Sequence, residues 1–425
     1  MRILILVDCY YPSTKSSAKL VHDLAVELCR RGDQAVILTP SDCLTQTAEI
    51  ATEEGITVVR VKNGRIKGAN KMQRAIREAR LSANLWRAAK SFLRKNPCEL
   101  IMFYSPTIFF GKLVGRLKKL WGCPAYLILR DIFPDWAADA GVIKKGMIYA
   151  FFRRAALRQY KVADVIGVQS PASLGYFARS FPWNNFFVRV LFNWTSLNEP
   201  HLPLTNYRSA LGLEDKTVFL YGGNIGVAQD MDNVLRLATQ LAPRSDIHIL
   251  LVGDGTEVPR LKAAIAARQL ANVQIISGIP QQDYLAMVSE FDFGLISLDA
   301  RLTTHNVPGK LLSYLYWGLP VLASVNPGND LFGILEENGA GFCVANGDDN
   351  QLARAALRLA DDRKLAAAMS ANARRLLEKR FSVESAVSQL FTHLNALKLP
   401  AVRGQKRLPV RMAPRFHSQE ISHKH

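Results

Sequence analysis

The sequence predicts an α/β protein made of two Rossmann-like domains that face each other across a cleft. Three observations support this prediction. Strand-like apolar runs alternate with helical patterns along most of the chain, the alternation pauses once near residue 200, and 425 residues exceed one ordinary core. Because hydrophobic residues make up 49% of the chain and charged residues 21%, a sizeable core can form, and a wholly disordered chain is excluded.

The first half of the chain contains seven strand-like runs, each nearly continuous in apolar and β-branched residues. Such runs are typical of parallel strands that are buried on both faces of a sheet. The predicted strands are RILILV (2–7), AVILT (35–39), TVVRV (57–61), ELIMF (99–103), AYLIL (125–129), DVIGV (164–168) and VRVLF (188–192).

The second half contains six further strand-like runs after a polar, proline-bearing stretch at 193–213 that predicts a linker. These runs are TVFLYGG (217–223), IHILLVGDG (247–255), VQIISG (273–278), FDFGLIS (291–297), PVLAS (320–324) and GFCVA (341–345). We therefore expect a first domain over 1–195, a second over 196–378, a helix over 379–400 that packs back on the first domain, and a disordered basic tail over 401–425.

The cysteines and the hydropathy pattern narrow the class of protein. Six cysteines are scattered without a CxxC pair or a nearby histidine cluster, which argues against a zinc site or a disulfide framework. The apolar run MRILILV is too short for a signal peptide, and nowhere do 18 apolar residues run together. We expect a cytoplasmic protein without a metal or a membrane span.

The net charge of +18 is concentrated in one part of the chain. Residues 61–161 contain 22 Lys and Arg against 5 Asp and Glu, and residues 401–425 contain six basic residues and one acidic residue. Such an excess attracts nucleic acid or the anionic surface of a membrane. The sequence lacks a zinc finger, an RNA-binding sheet motif and a recognition-helix pattern, so we rank a membrane surface above nucleic acid.

Two segments carry much of this charge together with aromatic and aliphatic residues. They are FFGKLVGRLKKLWG (109–122) and IKKGMIYAFFRRAALRQYK (143–161). Both resemble interfacial helices, in which apolar side chains enter the headgroup boundary and cations contact phosphates. The alternative is that each is an ordinary surface helix with one apolar and one charged face.

A lysine follows a Pro-Gly pair in NVPGKLLSYLYWGLP (306–320). The pattern predicts a helix with Pro308 in its first turn and Gly318 at its C-terminal end. Lys310 would then lie where backbone N–H groups are unpaired and the helix dipole is positive, a place that suits an anion. The simpler interpretation is a solvated lysine at a helix start.

Glycine turns follow the first two strands of the second domain. Gly222, Gly223 and Gly226 in YGGNIG would let the backbone approach a phosphate, and Gly253 and Gly255 in VGDG permit a second tight turn. Parallel sheets bind ligands beyond the carboxyl ends of their strands. Together with Lys310, these turns favour a nucleotide diphosphate at one rim of the second domain.

Two loops of the first domain are candidates for the second substrate. In DCYYPSTKSSAKL the small residues Ser13, Ser16 and Ser17 would let a substrate come near, or Ser16 only caps the following helix. In LRDIFPDWAADAG, Arg130 and Asp131 follow a strand. Asp131 can bind a sugar hydroxyl or act as a base, and a salt bridge to Arg130 is the rival interpretation.

With these motifs assembled, the chain resembles glycosyltransferase family 4 over about residues 1–400. It is similar to the branch that builds bacterial O-antigen, capsule and related polysaccharides, including transferases of N-acetyl-L-fucosamine. The resemblance rests on the Ser13–Ser17 loop, the Asp131–Pro134 motif, the Gly223–Asp232 loop and the Pro308–Val321 helix. It implies the GT-B arrangement of two Rossmann-like domains.

The resemblance also implies a retaining transfer from a UDP-sugar, without a cofactor or catalytic metal. The acceptor would be an undecaprenyl diphosphate-linked saccharide, and the enzyme would lie peripherally on the inner face of the bacterial cytoplasmic membrane. The transferred sugar would be N-acetyl-L-fucosamine or a related amino sugar. The implied catalytic residues are Asp131 and Lys310, and the implied nucleotide-sugar contacts are Gly222, Gly223, Asn224, Gly226, Gly253, Gly255, Pro308, Gly309, Lys310, Leu311 and Ser313.

Two positions depart from the pattern of this family. His305 and Ser313 stand where two glutamates often occur, and a serine hydroxyl cannot offer the two oxygens of a carboxylate to a ribose. Two alternatives therefore stay open beside the transferase. They are a nucleotide-sugar epimerase of the same fold and a catalytically weak scaffold homologue.

Overall fold

Two parallel sheets, each with helices on both faces, make up the part of the molecule that the computed structural model describes. The described residues are 1–13, 15–63, 71–198, 202–303 and 307–398. The predicted tail over 401–425 lies outside them. No helix among these residues has the length and the apolar character needed to cross a membrane.

The sheet of the first domain has eight strands. They are β1 (Arg2–Leu6), β2 (Gln34–Ser41), β3 (Ala48–Glu53), β4 (Ile56–Lys62), β5 (Leu100–Tyr104), β6 (Ala125–Leu129), β7 (Val165–Val168) and β8 (Val188–Val190). Their spatial order is β3-β4-β2-β1-β5-β6-β7-β8, and each pair is parallel except β3 with β4. The strands that follow β1 in sequence, β2 to β4, lie on one side of it, and β5 to β8 lie on the other. The strand order therefore reverses between β1 and β5, which is a topological switch point.

The antiparallel edge strand β3 was not predicted. Its sequence AEIATE has no residue that is fully buried, because only one of its sides pairs with the sheet. Glu53 on β3 instead accepts two hydrogen bonds from the Arg60 guanidinium on β4. A strand held by cross-strand pairing and one ion pair lacks the apolar run that reveals the central strands.

The sheet of the second domain has six parallel strands. They are β9 (Thr217–Gly222), β10 (Ile247–Val252), β11 (Val273–Ile276), β12 (Phe293–Ser297), β13 (Val321–Val325) and β14 (Gly341–Ala345). Their order is β11-β10-β9-β12-β13-β14, the order of a dinucleotide-binding Rossmann sheet. The second switch point therefore lies between β9 and β12.

Helices cover both faces of each sheet. Those of the first domain are α1 (Ser16–Arg30), α2 (Lys71–Lys95), α3 (Gly111–Trp121), α4 (Asp135–Asp139), α5 (Met147–Val162) and α6 (Pro171–Ser180). Those that follow are α7 (Tyr207–Ala210), α8 (Met231–Leu241), α9 (Val258–Ala267), α10 (Gln281–Val288), α11 (Lys310–Trp317), α12 (Leu331–Glu336), α13 (Asp349–Asp361), α14 (Arg363–Leu376) and α15 (Val383–Lys398). A single π turn, Leu377–Phe381, joins α14 to α15.

The chain crosses between the domains twice, and the two crossings lie side by side. The N–H of Thr195 donates to the carbonyl of Phe381 at 2.9 Å, and the N–H of Val383 donates to the carbonyl of Thr195 at 3.0 Å. Trp194, just before the first crossing, is fully buried and its indole N–H donates to the carbonyl of Leu20. The linker is therefore shorter than the predicted 193–213 stretch, which also contains α7.

Helix α15 returns to the first domain and completes its core. Val387 and Leu390 of α15 are fully buried in the cluster that also contains Ile3, Ile5 and Leu28 of the first domain. Helix α15 thus belongs structurally to the first domain.

We expect Leu390→Ala to lower the free energy of unfolding by about 2–5 kcal/mol, because the substitution leaves a cavity between α15 and the sheet. Chemical denaturation followed by circular dichroism measures this loss. Asn395→Ala, at an exposed position of the same helix, is the control and should stay within about 0.5 kcal/mol of the parent. Equal stabilities of the two variants would contradict the docking of α15.

Candidate active site

The switch point of the second domain lies between two loops that the sequence had singled out. The turn at 222–226 follows β9, and the loop that leads to α11 follows the neighbouring strand β12. Because parallel strands end at one edge of the sheet, both loops lie at the crevice where open α/β sheets bind ligands.

The turn after β9 packs directly on the turn after β10. A Cβ atom on Gly253 would lie 1.9 Å from the carbonyl oxygen of Gly223, and one on Gly255 would lie 1.9 Å from that of Ile225. Backbone hydrogen bonds of 2.9 Å run from Gly223 N to Val252 O and from Ile225 N to Asp254 O. The contact between the two turns therefore explains why Gly253 and Gly255 are glycines. The space that their side chains would fill is occupied by backbone and does not admit a ligand.

The glycines of the first turn have different roles. A Cβ on Gly222 would lie 2.0 Å from the hydroxyl of Tyr284, so this glycine makes room for a tyrosine. A Cβ on Gly226 would lie 2.6 Å from Nδ2 of Asn224, which itself donates to Gln229. Gly223 is exposed and has a φ of 118°. Among these glycines it is the one that presents its backbone to the crevice.

Lys310 brings a cation to Gly223. Its Nζ lies 3.2 Å from the centroid of the Tyr221 ring, and a Cβ on Gly223 would lie 3.9 Å from the same nitrogen. The side chain is half-buried, and this burial lowers the pKa of Lys310 well below its usual value. The ring face attracts the ammonium group by a cation–π interaction. An anion bound at Gly223 would therefore meet the N-terminus of α11 and its lysine together.

Of the other α11 residues that were predicted to contact the nucleotide sugar, only some are exposed. Pro308 precedes the helix and its carbonyl accepts the N–H of Leu311, whose side chain is fully buried in the core. The Leu311 side chain therefore does not face the crevice, and a contact of Leu311 with a nucleotide could involve only its backbone. Gly309 and Ser313 remain accessible. Gly318 ends the helix with a φ of 72°.

The first domain places two carboxylates at the carboxyl edge of its sheet. Asp131 follows β6, and Asp8 follows β1. Burial, opposed by the charge of Arg130 and aided by that of Asp8, raises the pKa of Asp131 to about 6. Burial likewise raises the pKa of Asp8. Within the described part of the chain, Oδ1 of Asp8 is buried and has no hydrogen-bond partner.

Asp8 is a candidate that the sequence interpretation missed. The signal was present, since an acidic residue directly after a buried first strand lies at the ligand edge of a parallel sheet. The prediction instead named the serines of the neighbouring loop, which lie five to nine residues further along the chain.

The salt bridge between Arg130 and Asp131, the rival interpretation of this pair, is not observed. Its guanidinium donates to the carbonyls of Leu191 and Phe192 and lies 4.9 Å from the ring of Trp194. Arg130 thus fixes the start of the interdomain crossing, and among the described residues it forms no ion pair with the Asp131 carboxylate.

The serines of the first loop lie in different surroundings. Ser17 Oγ is 3.1 Å from Cys9 Sγ, and Ser13 Oγ is 3.4 Å from the N–H of Lys15. Ser16 begins α1, whose N-cap residue is Lys15, so the predicted capping by Ser16 is not observed. Ser16 instead lines a cavity of about 90 Å³ together with Gly309 and Ser313 of the second domain.

Hydrogen bonds connect the two domains near the crevice. The carboxylate of Asp139, at the end of α4, accepts hydrogen bonds from the N–H and the hydroxyl of Thr303. Asn193 Nδ2 donates to the carbonyl of Val307 at 3.4 Å. The loop that leads to Lys310 thus contacts the segment that begins at Asp131. His305, between these contacts, lies outside the described residues.

The two segments predicted to be interfacial helices differ in the structure. The apolar residues Leu113, Val114 and Leu117 of α3 are buried in the core, so α3 is an ordinary surface helix. The start of α5 is different, because Met147 is 92% and Ile148 67% exposed.

No group of three or more metal-ligating side chains occurs among the residues that the structure covers. At this crevice, Lys310 places its ammonium group 3.9 Å from the position of a Cβ on Gly223.

The fold and the paired crevices define a two-domain GT-B protein. Residues 17–193 match the family model described as glycosyl transferase 4-like domain, and residues 205–376 match that of glycosyl transferases group 1. The two models together span most of the chain, and the chain belongs to the glycosyltransferases of this family.

Similar proteins include bacterial glycosyltransferases. The chain is 28% identical to the probable glycosyltransferase WbjE of Pseudomonas aeruginosa over 56% of this chain and 60% of the relative. It is 27% identical to the putative colanic acid biosynthesis glycosyl transferase WcaI of Escherichia coli over 50% of this chain and 54% of the relative. The matches thus span about half the length of these relatives.

Solved structures share the fold. A sucrose-phosphate synthase from Thermosynechococcus elongatus superposes with a TM-score of 0.73 at 17% identity, over 93% of this chain and 99% of the other. HepE of Anabaena, solved with UDP and glucose, superposes with a TM-score of 0.65 at 18% identity, over 93% of this chain and 100% of the other.

The raised pKa of Asp131 predicts a stability that depends on pH. The folded protein holds the Asp131 proton more tightly than the unfolded chain, whose carboxyl has a pKa near 3.8, so ionisation destabilises the fold as the pH rises from about 4 to 6. Asp131→Asn cannot ionise and should melt at a higher temperature than the parent at pH 7.5, with a smaller difference at pH 4. Scanning fluorimetry checks this.

The control for this measurement is Asp215→Asn, at an exposed position of the second domain. It should leave the melting temperature unchanged at both pH values. If Asp131→Asn behaves in the same way, the Asp131 carboxylate is not destabilised by burial.

Proposed function

We propose that this protein is a retaining glycosyltransferase that moves a sugar from a UDP-sugar to an undecaprenyl diphosphate-linked saccharide. The sugar would be N-acetyl-L-fucosamine or a related amino sugar, and the product a precursor of an O-antigen or capsule-type polysaccharide. Family membership supports the reaction class, and the relative named for colanic acid biosynthesis supports the polysaccharide context.

The observation that carries the proposal is the contact of Lys310 with the Gly223 turn at the switch point between β9 and β12. A diphosphate at this turn would bring its negative charge against the ammonium group and the N-terminus of α11. The structural neighbour HepE was solved with UDP, which supports a uridine nucleotide as the donor.

Lys310 would act as the leaving group departs. When the bond between the sugar and the diphosphate breaks, negative charge grows on the leaving oxygen, and a fixed cation stabilises that charge more than the charge of the intact donor. The pKa of Lys310, lowered by burial in the unliganded protein, would rise beside a diphosphate because the charged form then has an anionic partner.

Asp131 would act on the acceptor. It lies at the carboxyl edge of the first sheet, in the segment that contacts the Lys310 loop through Asp139 and Thr303. With a pKa of about 6, its carboxylate is mostly ionised at neutral pH and can accept a hydrogen bond from the attacking hydroxyl. In a retaining transfer the hydroxyl would approach the face of the sugar that the diphosphate leaves.

The start of α5 supports a membrane-surface acceptor. Val142, Met147, Ile148 and Phe151 are each at least half exposed, and Lys144 and Lys145 are exposed between them. Apolar side chains beside cations suit the boundary between headgroups and acyl chains of an anionic bilayer. This patch follows the Asp131 segment along the chain, so a lipid-linked acceptor could reach the crevice from the membrane.

We expect Lys310→Ala to weaken UDP binding by about 10- to 100-fold and to lower kcat, because a charge-assisted contact to the diphosphate is lost. Isothermal titration with UDP and a transfer assay measure the two effects. The control is Lys262→Ala on an exposed face of α9, which should bind UDP like the parent. Unchanged binding by Lys310→Ala would refute the diphosphate assignment.

The donor itself is identified by a thermal-shift screen of UDP-, GDP- and dTDP-sugars, followed by transfer assays on a lipid diphosphate-linked acceptor. A UDP-sugar should raise the melting temperature most. Interconversion of the sugar without any acceptor would instead indicate an epimerase, and failure of every nucleotide sugar to bind would indicate a scaffold.

We expect the double variant Met147→Ser, Ile148→Ser to lose most of the binding of the parent to vesicles of phosphatidylglycerol and phosphatidylcholine, because it removes the most exposed apolar side chains of the patch. Vesicle flotation at low and high salt measures this, and binding of the parent should weaken as salt rises. Leu204→Ser removes an equally exposed leucine outside the patch and should bind normally. Equal binding by both variants would place the membrane contact elsewhere.

A further inference from the structure

Helix α11 carries a buried tyrosine one turn beyond Lys310. Tyr314 is fully buried, and residues four apart lie on one face of a helix. The tyrosine therefore extends from the same side of α11 as the lysine, toward the ends of β9 and β12.

The Tyr314 hydroxyl ties the helix to both strands of the switch point. It accepts the N–H of Gly222 at 3.1 Å, at the end of β9, and donates to the carbonyl of Leu295 on β12 at 3.3 Å. Burial raises the pKa of Tyr314 well above its usual value, so the hydroxyl keeps the proton that it donates. A Cβ on Gly294 would lie 2.3 Å from the Tyr314 ring, so a glycine on β12 makes room for this side chain.

The same tyrosine is part of a group of rings around the glycine turn. The Tyr284 hydroxyl occupies the space beside Gly222, and the Tyr221 ring lies under the Lys310 ammonium. Gly222 is thus held on one side by Tyr284 and through its N–H by Tyr314. The next residue, Gly223, meets Lys310.

We propose that Tyr314 is a positioning residue that sets the separation between the Gly223 turn and the Lys310 ammonium, and thereby the fit of a nucleoside diphosphate. This inference rests on the proposed function, because it assigns the diphosphate to that turn. Tyr314 does not touch the ligand. It acts because its hydroxyl ties the Gly222 N–H and the Leu295 carbonyl to helix α11.

Removal of the hydroxyl leaves a buried N–H and a buried carbonyl without their shared partner. Both hydrogen bonds are buried, so the backbone of the turn must shift toward another partner or lose a hydrogen bond. Either result changes the position of Gly223 relative to Lys310, while the ring of a phenylalanine still fills the core.

The test is a double-mutant cycle with UDP as the probe. Tyr314→Phe should weaken UDP binding by about 5- to 20-fold, the range that corresponds to one lost buried hydrogen bond. In the Lys310→Ala background the same substitution should change binding less than about twofold, because the contact that Tyr314 positions is already absent. Isothermal titration calorimetry gives the four dissociation constants.

The matched control is Tyr126→Phe. Tyr126 is fully buried in the first domain, and its hydroxyl hydrogen-bonds to Nδ1 of His393 at 2.9 Å. This variant also loses a buried phenol hydrogen bond and should lower the melting temperature, but it should bind UDP like the parent. The comparison separates a general loss of stability from a change at the site.

The outcomes distinguish the inference from the proposed function. If Lys310→Ala weakens UDP binding while Tyr314→Phe binds like Tyr126→Phe, the positioning role is refuted and the diphosphate assignment stands. If Tyr314→Phe weakens binding equally in both backgrounds, Tyr314 acts independently of Lys310, and the inference is also refuted. If Lys310→Ala binds UDP normally, the proposed function fails and the inference fails with it.

Discussion

The close packing of two backbone turns is the constraint on which the donor site depends. The carbonyl oxygen of Gly223 lies where a side chain of residue 253 would be, and that of Ile225 lies where one of residue 255 would be. Only glycine permits such an approach between backbones. Because the turn after β9 rests on the turn after β10, Gly223 is exposed at a fixed place, and the adjacent helix brings Lys310 to it.

The charged groups at the crevice destabilise the folded state, which is typical of functional sites. Lys310 is held over an aromatic ring where burial lowers its pKa, and Asp8 keeps a buried oxygen without a partner among the described residues. Asp131 is also disfavoured in its charged form. These groups lie at the carboxyl edges of the two sheets, and the segment of the first domain that begins at Asp131 contacts the loop that leads to Lys310 through Asp139 and Thr303.

The first domain combines the acceptor side of the crevice with the exposed apolar patch in one continuous segment. The chain passes from Asp131 through α4, which contacts the second domain through Asp139, and then reaches the exposed start of α5. Only a short stretch of chain thus separates the interdomain contact at Asp139 from the exposed apolar patch at the start of α5. A shift of this segment would move the crevice carboxylate and the surface patch together.

The amino-acid sequence by itself determined the fold class and the central strands, because buried parallel strands require long apolar runs that can be recognised locally. It also singled out Lys310 and the glycine turns, since glycine and proline mark strand exits. It missed the antiparallel edge strand β3, which is held by pairing and one ion pair.

Only the tertiary structure decided what each of these residues contacts. It showed that Gly253 makes room for another turn, that Leu311 points into the core, and that α3 keeps its apolar face inside the protein. It also brought Asp8 to the crevice. The physical reason is that strand order and loop packing bring together residues far apart in the chain, and no local pattern records which backbone or ring will occupy the space beside them.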